Sequence, residues 1–240
     1  MRSRYPRRVL GAPELVVLVV VVLVLFGLAR LQRLLEQRVD ETALGRRTFE
    51  TICRTATVRR IEQGEVPAIL ARFAKARSLR VGPYTAHVPD EPGVNAMALP
   101  GGIVLITQGL LALRTRGDLS VDELAAVLAH EVGHIELGHS RRREVQATMS
   151  SWATRLGPTP GGLVGRIAMG AGLSALQKRA SRDAEKEADA WAVGMLRAAG
   201  YDTGGLATFL RRIAGWSRSA GLWSTHPSPE ERIEALSASA

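Results

Sequence analysis

With a single cysteine, Cys53, the chain has no internal disulfide, so its fold must rest on a packed core and on any metal it binds. One thiol says little about the redox compartment. Lysine is almost as scarce. Only Lys75, Lys178 and Lys186 occur, so the net charge of +9 is carried by arginines spread along the chain. Zinc-finger spacing, an aromatic RNA-binding signature and a glycine-rich phosphate loop are all missing. The basic excess is therefore read as facing solvent or anionic lipid, and no nucleic-acid partner is expected.

What the chain does have begins with an apolar run. From Leu15 to Ala29 it reads LVVLVVVVLVLFGLA without a charge. This falls short of the roughly 20 residues a bilayer helix needs, but Leu10 to Pro13 extend it if Glu14 sits at an interface. One reading is a cleaved signal peptide, with Arg2, Arg4, Arg7 and Arg8 as its basic region and Gly27-Leu28-Ala29 as a small-x-small cleavage site. The other is an uncleaved anchor that continues into LQRLLEQRV. The large leucines and the arginines flanking the exit favour the anchor. Both readings leave the amino terminus cytoplasmic and the remainder outside, on the periplasmic side in a bacterium. The dominance of β-branched valine, with no polar face, argues against a soluble core helix.

Beyond the anchor, 30–42 is expected to be an amphipathic linker helix. Apolar steps of three and four predict helices over 45–63 and 65–78. Gly82 and Pro83 break the pattern. Three β-type runs follow, Tyr84 to Val88, Val94 to Ala98 and Ile103 to Thr107, and predict a small antiparallel meander. Ser120 caps a helix over 121–139, with Asp122 and Glu123 at its positive end. The glycine-rich 156–177 is read as a mobile segment over a groove, with a plain packed helix as the alternative. Helices are expected from Ser181 to Ala199, near 204–215, and after the Pro227/Pro229 turn.

His130-Glu131-Val132-Gly133-His134 lies within the helix opened by Ser120. Residues four apart share a helical face, so both imidazoles can address one ion. Glu131 projects about 100 degrees round from His130 and can sit beside a metal without binding it. Zinc suits nitrogen ligands, keeps an open position and activates water, which makes Glu131 the candidate general base. A third protein ligand is needed. Ser140 stands where one class places a third histidine, and Leu137 where that class has glycine, so that class is excluded. His139 is read as a surface or packing histidine. The better candidate is Glu185, with Asp189 on the same helical face to bond a ligand histidine and fix its tautomer. Glu187 is expected on the far, solvated side.

Four motifs in order, NAMALPGGIVLITQGLL at 95–111, HEVGHIELGH at 130–139, SRDAEKEAD at 181–189 and THPSPEERI at 225–233, resemble the HtpX-like and BepA-like zinc metallopeptidases. That family, peptidase family M forty-eight, also holds the CAAX prenyl proteases. The resemblance covers roughly residues 45–236. It implies that His130, His134 and Glu185 bind one Zn2+, with Glu131 as the base. It also implies a role near the metal for the His226 loop, plugging the site or steadying an oxyanion, with Arg232 assisting. The chain departs from HtpX itself in having one clear membrane segment.

The expected architecture is α+β. A cytoplasmic tip and transmembrane anchor over 1–29 and a linker helix over 30–44 precede a mainly helical, zincin-like (gluzincin) metalloprotease domain over 45–240, with a small antiparallel sheet. The expected function is an anchored, extracytoplasmic zinc endopeptidase acting on unfolded or misassembled envelope proteins. Were Ile103 to Thr107 a sheet edge, extended substrate could pair with it through backbone bonds. The alternative is a chaperone-like binding protein that keeps the fold without turnover.

Overall fold

The computed structural model describes residues 12–155, 162–214 and 229–238. Helix α1 (Ala12–Gln37) carries the apolar run. Its 26 residues span about 39 Å at 1.5 Å per residue, more than the roughly 30 Å of a bilayer core. Leu15, Val16 and Phe26 are exposed along it, so it is no core helix of this chain. It is long and apolar enough to cross a membrane.

The expected linker helix is divided: α1 runs to Gln37 and α2 (Glu41–Thr55) starts after three intervening residues. Asp40 caps α2 by accepting from the Ala43 N–H at 2.9 Å. The helix expected over 45–63 is a further correction, because the chain leaves α2 at Ala56 and forms strand β1 (Val58–Ile61). Val58 and Ile61 fit a helical step, yet β-branched residues also suit a pleated surface. Pairing with a distant strand decides the matter. Helix α3 (Glu65–Ala76) buries Val66, Ile69, Leu70 and Phe73 at the expected helical spacing.

Strands β2 (Thr85–Pro89), β3 (Ala96–Leu99) and β4 (Ile103–Ile106) complete a four-stranded sheet of order β1-β2-β4-β3. β1 and β2 are antiparallel, as are β3 and β4, whereas β2 and β4 are parallel. The sheet is thus mixed, not an antiparallel meander. The β3–β4 hairpin turns at Pro100-Gly101-Gly102 and enters with β4 leading. β4 therefore lies inside the sheet, and β3, not Ile103 to Thr107, forms the open edge.

Helix α4 (Gln108–Arg116) leads to α5 (Val121–Glu136), which opens with a capping box. Ser120 Oγ accepts from the Glu123 N–H at 3.1 Å, and Glu123 Oε2 accepts from the Ser120 N–H at 2.8 Å. Every residue from Glu123 to Ile135 is buried, as befits a helix packed on all sides. Its neighbours are β3, α3, α6 (His139–Arg155), α7 (Gly162–Ala199) and α8 (Gly205–Ala214). The expected helix end at 139 moves back to Glu136, because Gly138 adopts φ +68 and restarts the chain in α6. The helix expected from Ser181 is the second half of the continuous α7, whose backbone is helical from Gly162. Within the 156–177 segment the backbone from 162 is helical, as the helix alternative has it, and 156–161 lie outside the described residues. Helix α9 (Pro229–Ala238) packs on α8 and touches α7.

Candidate metal centre

Buried α5 presents His130, Glu131 and His134, and α7 crosses it to deliver Glu185 and Asp189. The crossing explains Gly133. A Cβ there would lie 3.2 Å from Trp191 Cε3 and 3.3 Å from the Ala188 carbonyl oxygen, so a side chain would force α7 outward. His130 Nε2 and His134 Nε2 stand 3.1 Å apart. Glu185 Oε2 is 3.4 Å from the first, and Oε1 3.4 Å from the second. Four-coordinate zinc with bonds near 2.0–2.1 Å needs ligand-to-ligand edges of about 3.3 Å. Two imidazoles and one carboxylate thus stand close enough to share one ion, with a different Glu185 oxygen nearest each ring, and the three residues are buried.

Each histidine is oriented through its second nitrogen. His130 Nδ1 lies 2.8 Å from Asp189 Oδ1. Arg232, delivered by α9, grips the same carboxylate with two bonds, Nε to Oδ2 at 2.9 Å and Nη2 to Oδ1 at 2.7 Å. Its Nη1 reaches Glu185 Oε2 at 3.3 Å. Nη2 also lies 3.3 Å from His130 Nδ1, but a guanidinium only donates, so the imidazole N–H must belong to Asp189. Burial would raise the Asp189 carboxyl. The bonds from His130 and Arg232 outweigh that and hold it below the usual carboxylate range.

His134 Nδ1 meets His139 Nδ1 at 2.8 Å, and His139 Nε2 meets Glu187 Oε2 at 3.1 Å. If His134 binds through Nε2, its Nδ1 carries the proton and donates. His139 must then accept at Nδ1 and donate from Nε2 to Glu187, which Arg142 Nη1 approaches at 3.5 Å. Burial lowers the His139 pKa against the pull of Glu187, which favours the neutral ring. His139 is 2% exposed, a packing histidine at the centre of the site and no surface group. Glu187 is half-exposed but not merely solvated. The signal for both was Gly138: a helix that stops there puts His139 on a new axis, where angles counted along α5 no longer apply.

Glu131 leans the other way. Its Oε2 accepts from the Ala98 N–H of edge strand β3 at 2.9 Å. Glu131 is thus held between the candidate metal ligands and the sheet edge. At the end of α5, Glu136 accepts from the Val81 N–H at 2.9 Å and from the Tyr84 hydroxyl. Burial, reinforced by that carboxylate, pushes Tyr84 far above its ordinary pKa. Arg80 joins the Glu136 carbonyl at 2.9 Å to Glu41 of α2 at 3.0 Å. Two grooves, of about 420 and 380 Å³, open on either side of His134. His226 lies outside the described residues.

A His-Glu-x-x-His helix met by a glutamate from a crossing helix suits a metallopeptidase. The chain belongs to peptidase family M48, which matches residues 60–240. It is similar to the metalloprotease YcaL of Escherichia coli, 31% identical over 178 residues, covering 69% of this chain and 66% of the relative. It is similar also to the Escherichia coli metalloprotease LoiP, 30% identical over 148 residues (59% and 56%). The beta-barrel assembly-enhancing protease of Yersinia pestis is 30% identical over 174 residues (67% and 35%). The chain spans between a third and two thirds of the length of these curated relatives.

Proposed function

We propose that this chain is a membrane-anchored zinc metalloendopeptidase that cleaves unfolded or misassembled envelope proteins in quality control. One observation carries the reading: two imidazole nitrogens and a carboxylate converge within reach of one ion beside a second buried carboxylate, Glu131. His130, His134 and Glu185 would hold the zinc of a zincin-like (gluzincin) domain. Bound there, zinc polarises a carbonyl and lowers the pKa of water towards ~7.

The chain supplies the rest. Glu131 takes the proton of the attacking water and passes it to the leaving amine nitrogen. The Ala98 N–H holds the other side of that carboxylate and aims it. Asp189, backed by Arg232, fixes the His130 tautomer, and His139 fixes that of His134. Supported by the resemblance, the His226 loop acts near the metal. Helix α1 anchors the enzyme with its amino terminus cytoplasmic and the catalytic domain outside. The names of relatives such as the Yersinia pestis protease favour an envelope substrate.

Dialysis of the full chain against a chelator should abolish cleavage of unfolded casein, and one equivalent of zinc per chain should restore it. Cleavage that persists at below a tenth of an equivalent of any metal would refute the proposal. The two orienting partners make a finer forecast. His139→Phe keeps a ring but loses the acceptor, so zinc affinity measured by chelator competition should fall about 10–100-fold. His139→Asn, whose amide oxygen can accept, should recover part of it. An unchanged affinity in the Phe variant would remove His139 from the site.

A further inference from the structure

Helix α2 lies across the face of the sheet that turns away from the core. Ala86, Ala96, Val104 and Ile106 point inward to the core. On the other face the Phe49 ring of α2 meets the His87 ring at 4.7 Å between centroids. Met97 and Leu105, partners across β3 and β4, share that outer face. The cover is incomplete. A groove of about 380 Å³ runs from Glu131 past Met97 and Leu99 to Leu44 and Thr48. A second space of about 250 Å³ continues from Met97 and Leu105 to Ile52 and Thr55. Met97 lines both.

On α2, Leu44, Thr48, Ile52 and Thr55 follow at steps of four, four and three, which is one helical face. The two spaces therefore lie end to end along one face of α2, on either side of Met97, and together form a trough that starts beside Glu131 and follows β3. Its α2 and sheet walls are aliphatic, with threonine hydroxyls between. Beyond Glu131 at its start, charge is confined to the α6 side, at Arg143 and Glu144, and to the distant mouth, at Glu91. Successive same-side residues of an extended chain are about 6.7 Å apart. One helical step of four residues advances about 6 Å. Two such substrate side chains thus match the Thr48 and Ile52 levels of the wall.

The edge itself offers few donors. The Ala98 N–H is bonded to Glu131 and the Ala96 N–H to the Asn95 side chain at 3.0 Å. Both point outward, so a segment laid here gains selectivity from its side chains more than from a backbone ladder.

We infer that the trough between α2 and β3 is a subsite for extended polypeptide carrying apolar residues at alternate positions, i and i+2, on the side facing α2. The substrate class is a strand-like segment, apolar on one side and polar on the other, next to the scissile bond. The inference rests on the endopeptidase reading, and the two can fail separately.

The test uses the full chain in detergent, zinc-loaded, with Glu131→Gln so that ligand is bound and not consumed. Two fluorescent peptides of equal composition are compared by polarisation, one with leucines two apart and one with leucines adjacent. The spaced peptide should bind about ten-fold tighter, as expected for seating one further leucine. Adding Ile52→Glu should erase that preference, leaving the adjacent peptide within two-fold. Thr48→Trp, which fills the trough without adding charge, should do the same should the glutamate variant not fold. Equal binding of the two peptides, or a preference that survives both substitutions, would overturn the subsite. Casein cleavage by the unsubstituted chain is read in parallel. Cleavage without peptide preference sinks the subsite alone, and preference without cleavage sinks the endopeptidase reading alone.

Discussion

Glu131→Gln should lower the cleavage of unfolded casein by about 100-fold or more, the scale on which a positioned general base acts, while the protein keeps its full zinc content. The amide has the shape of the carboxylate, and its oxygen can still accept from the Ala98 N–H, now at 2.9 Å from Glu131. What it cannot do is take a proton from water. The candidate ligand group of His130, His134 and Glu185 does not include Glu131, so zinc binding measured by chelator competition should change far less than cleavage does. Full activity in this variant would end the endopeptidase assignment. Loss of zinc would instead mean that Glu131 is a ligand.

The second large effect is on stability. Arg232→Leu should destabilise the zinc-free chain by about 3–5 kcal/mol, the cost of removing one partner from a buried ion pair. Arg232 is 4% exposed and its forked bonds go to Asp189, also buried, with a further contact to Glu185. Without the guanidinium, the two buried carboxylates of Asp189 and Glu185 lose their shared cation. Zinc carries two positive charges and binds beside them, so the penalty should shrink when the metal is present. Urea unfolding with and without zinc measures both halves. A midpoint equal to that of the parent in the zinc-free state would show that α9 is not held through this pair.

How far these groups were legible in the sequence depended on how local their signals are. Ser120 and Glu123 cap α5 within four residues, and His130 and His134 share a face by simple counting, so helix and motif were both readable. The Glu185/Asp189 spacing was readable for the same reason, once a third ligand was required. Arg232 was different: nothing local marks it, only its membership in a motif resembling a known family, and α9 has to fold back onto α7 to bring it in. The sheet was misread because strand order is set by contacts far apart in the chain. Val58 and Ile61 fit a helix until β2 claims them, and β4 fits an edge until β2 pairs with it in parallel. His139 was missed because Gly138 ends one helical axis and starts another.

The three residues between α1 and α2 have a mechanical meaning. In the proposed anchored state, the trough wall hangs directly from the membrane helix, and Arg80 ties its base to the end of α5 through Glu41 and Glu136. Such a short tether gives the cleft little vertical reach. The enzyme would patrol a thin layer above the headgroups, sampling chains by lateral diffusion in two dimensions, while polypeptides in the bulk beyond that layer go uninspected.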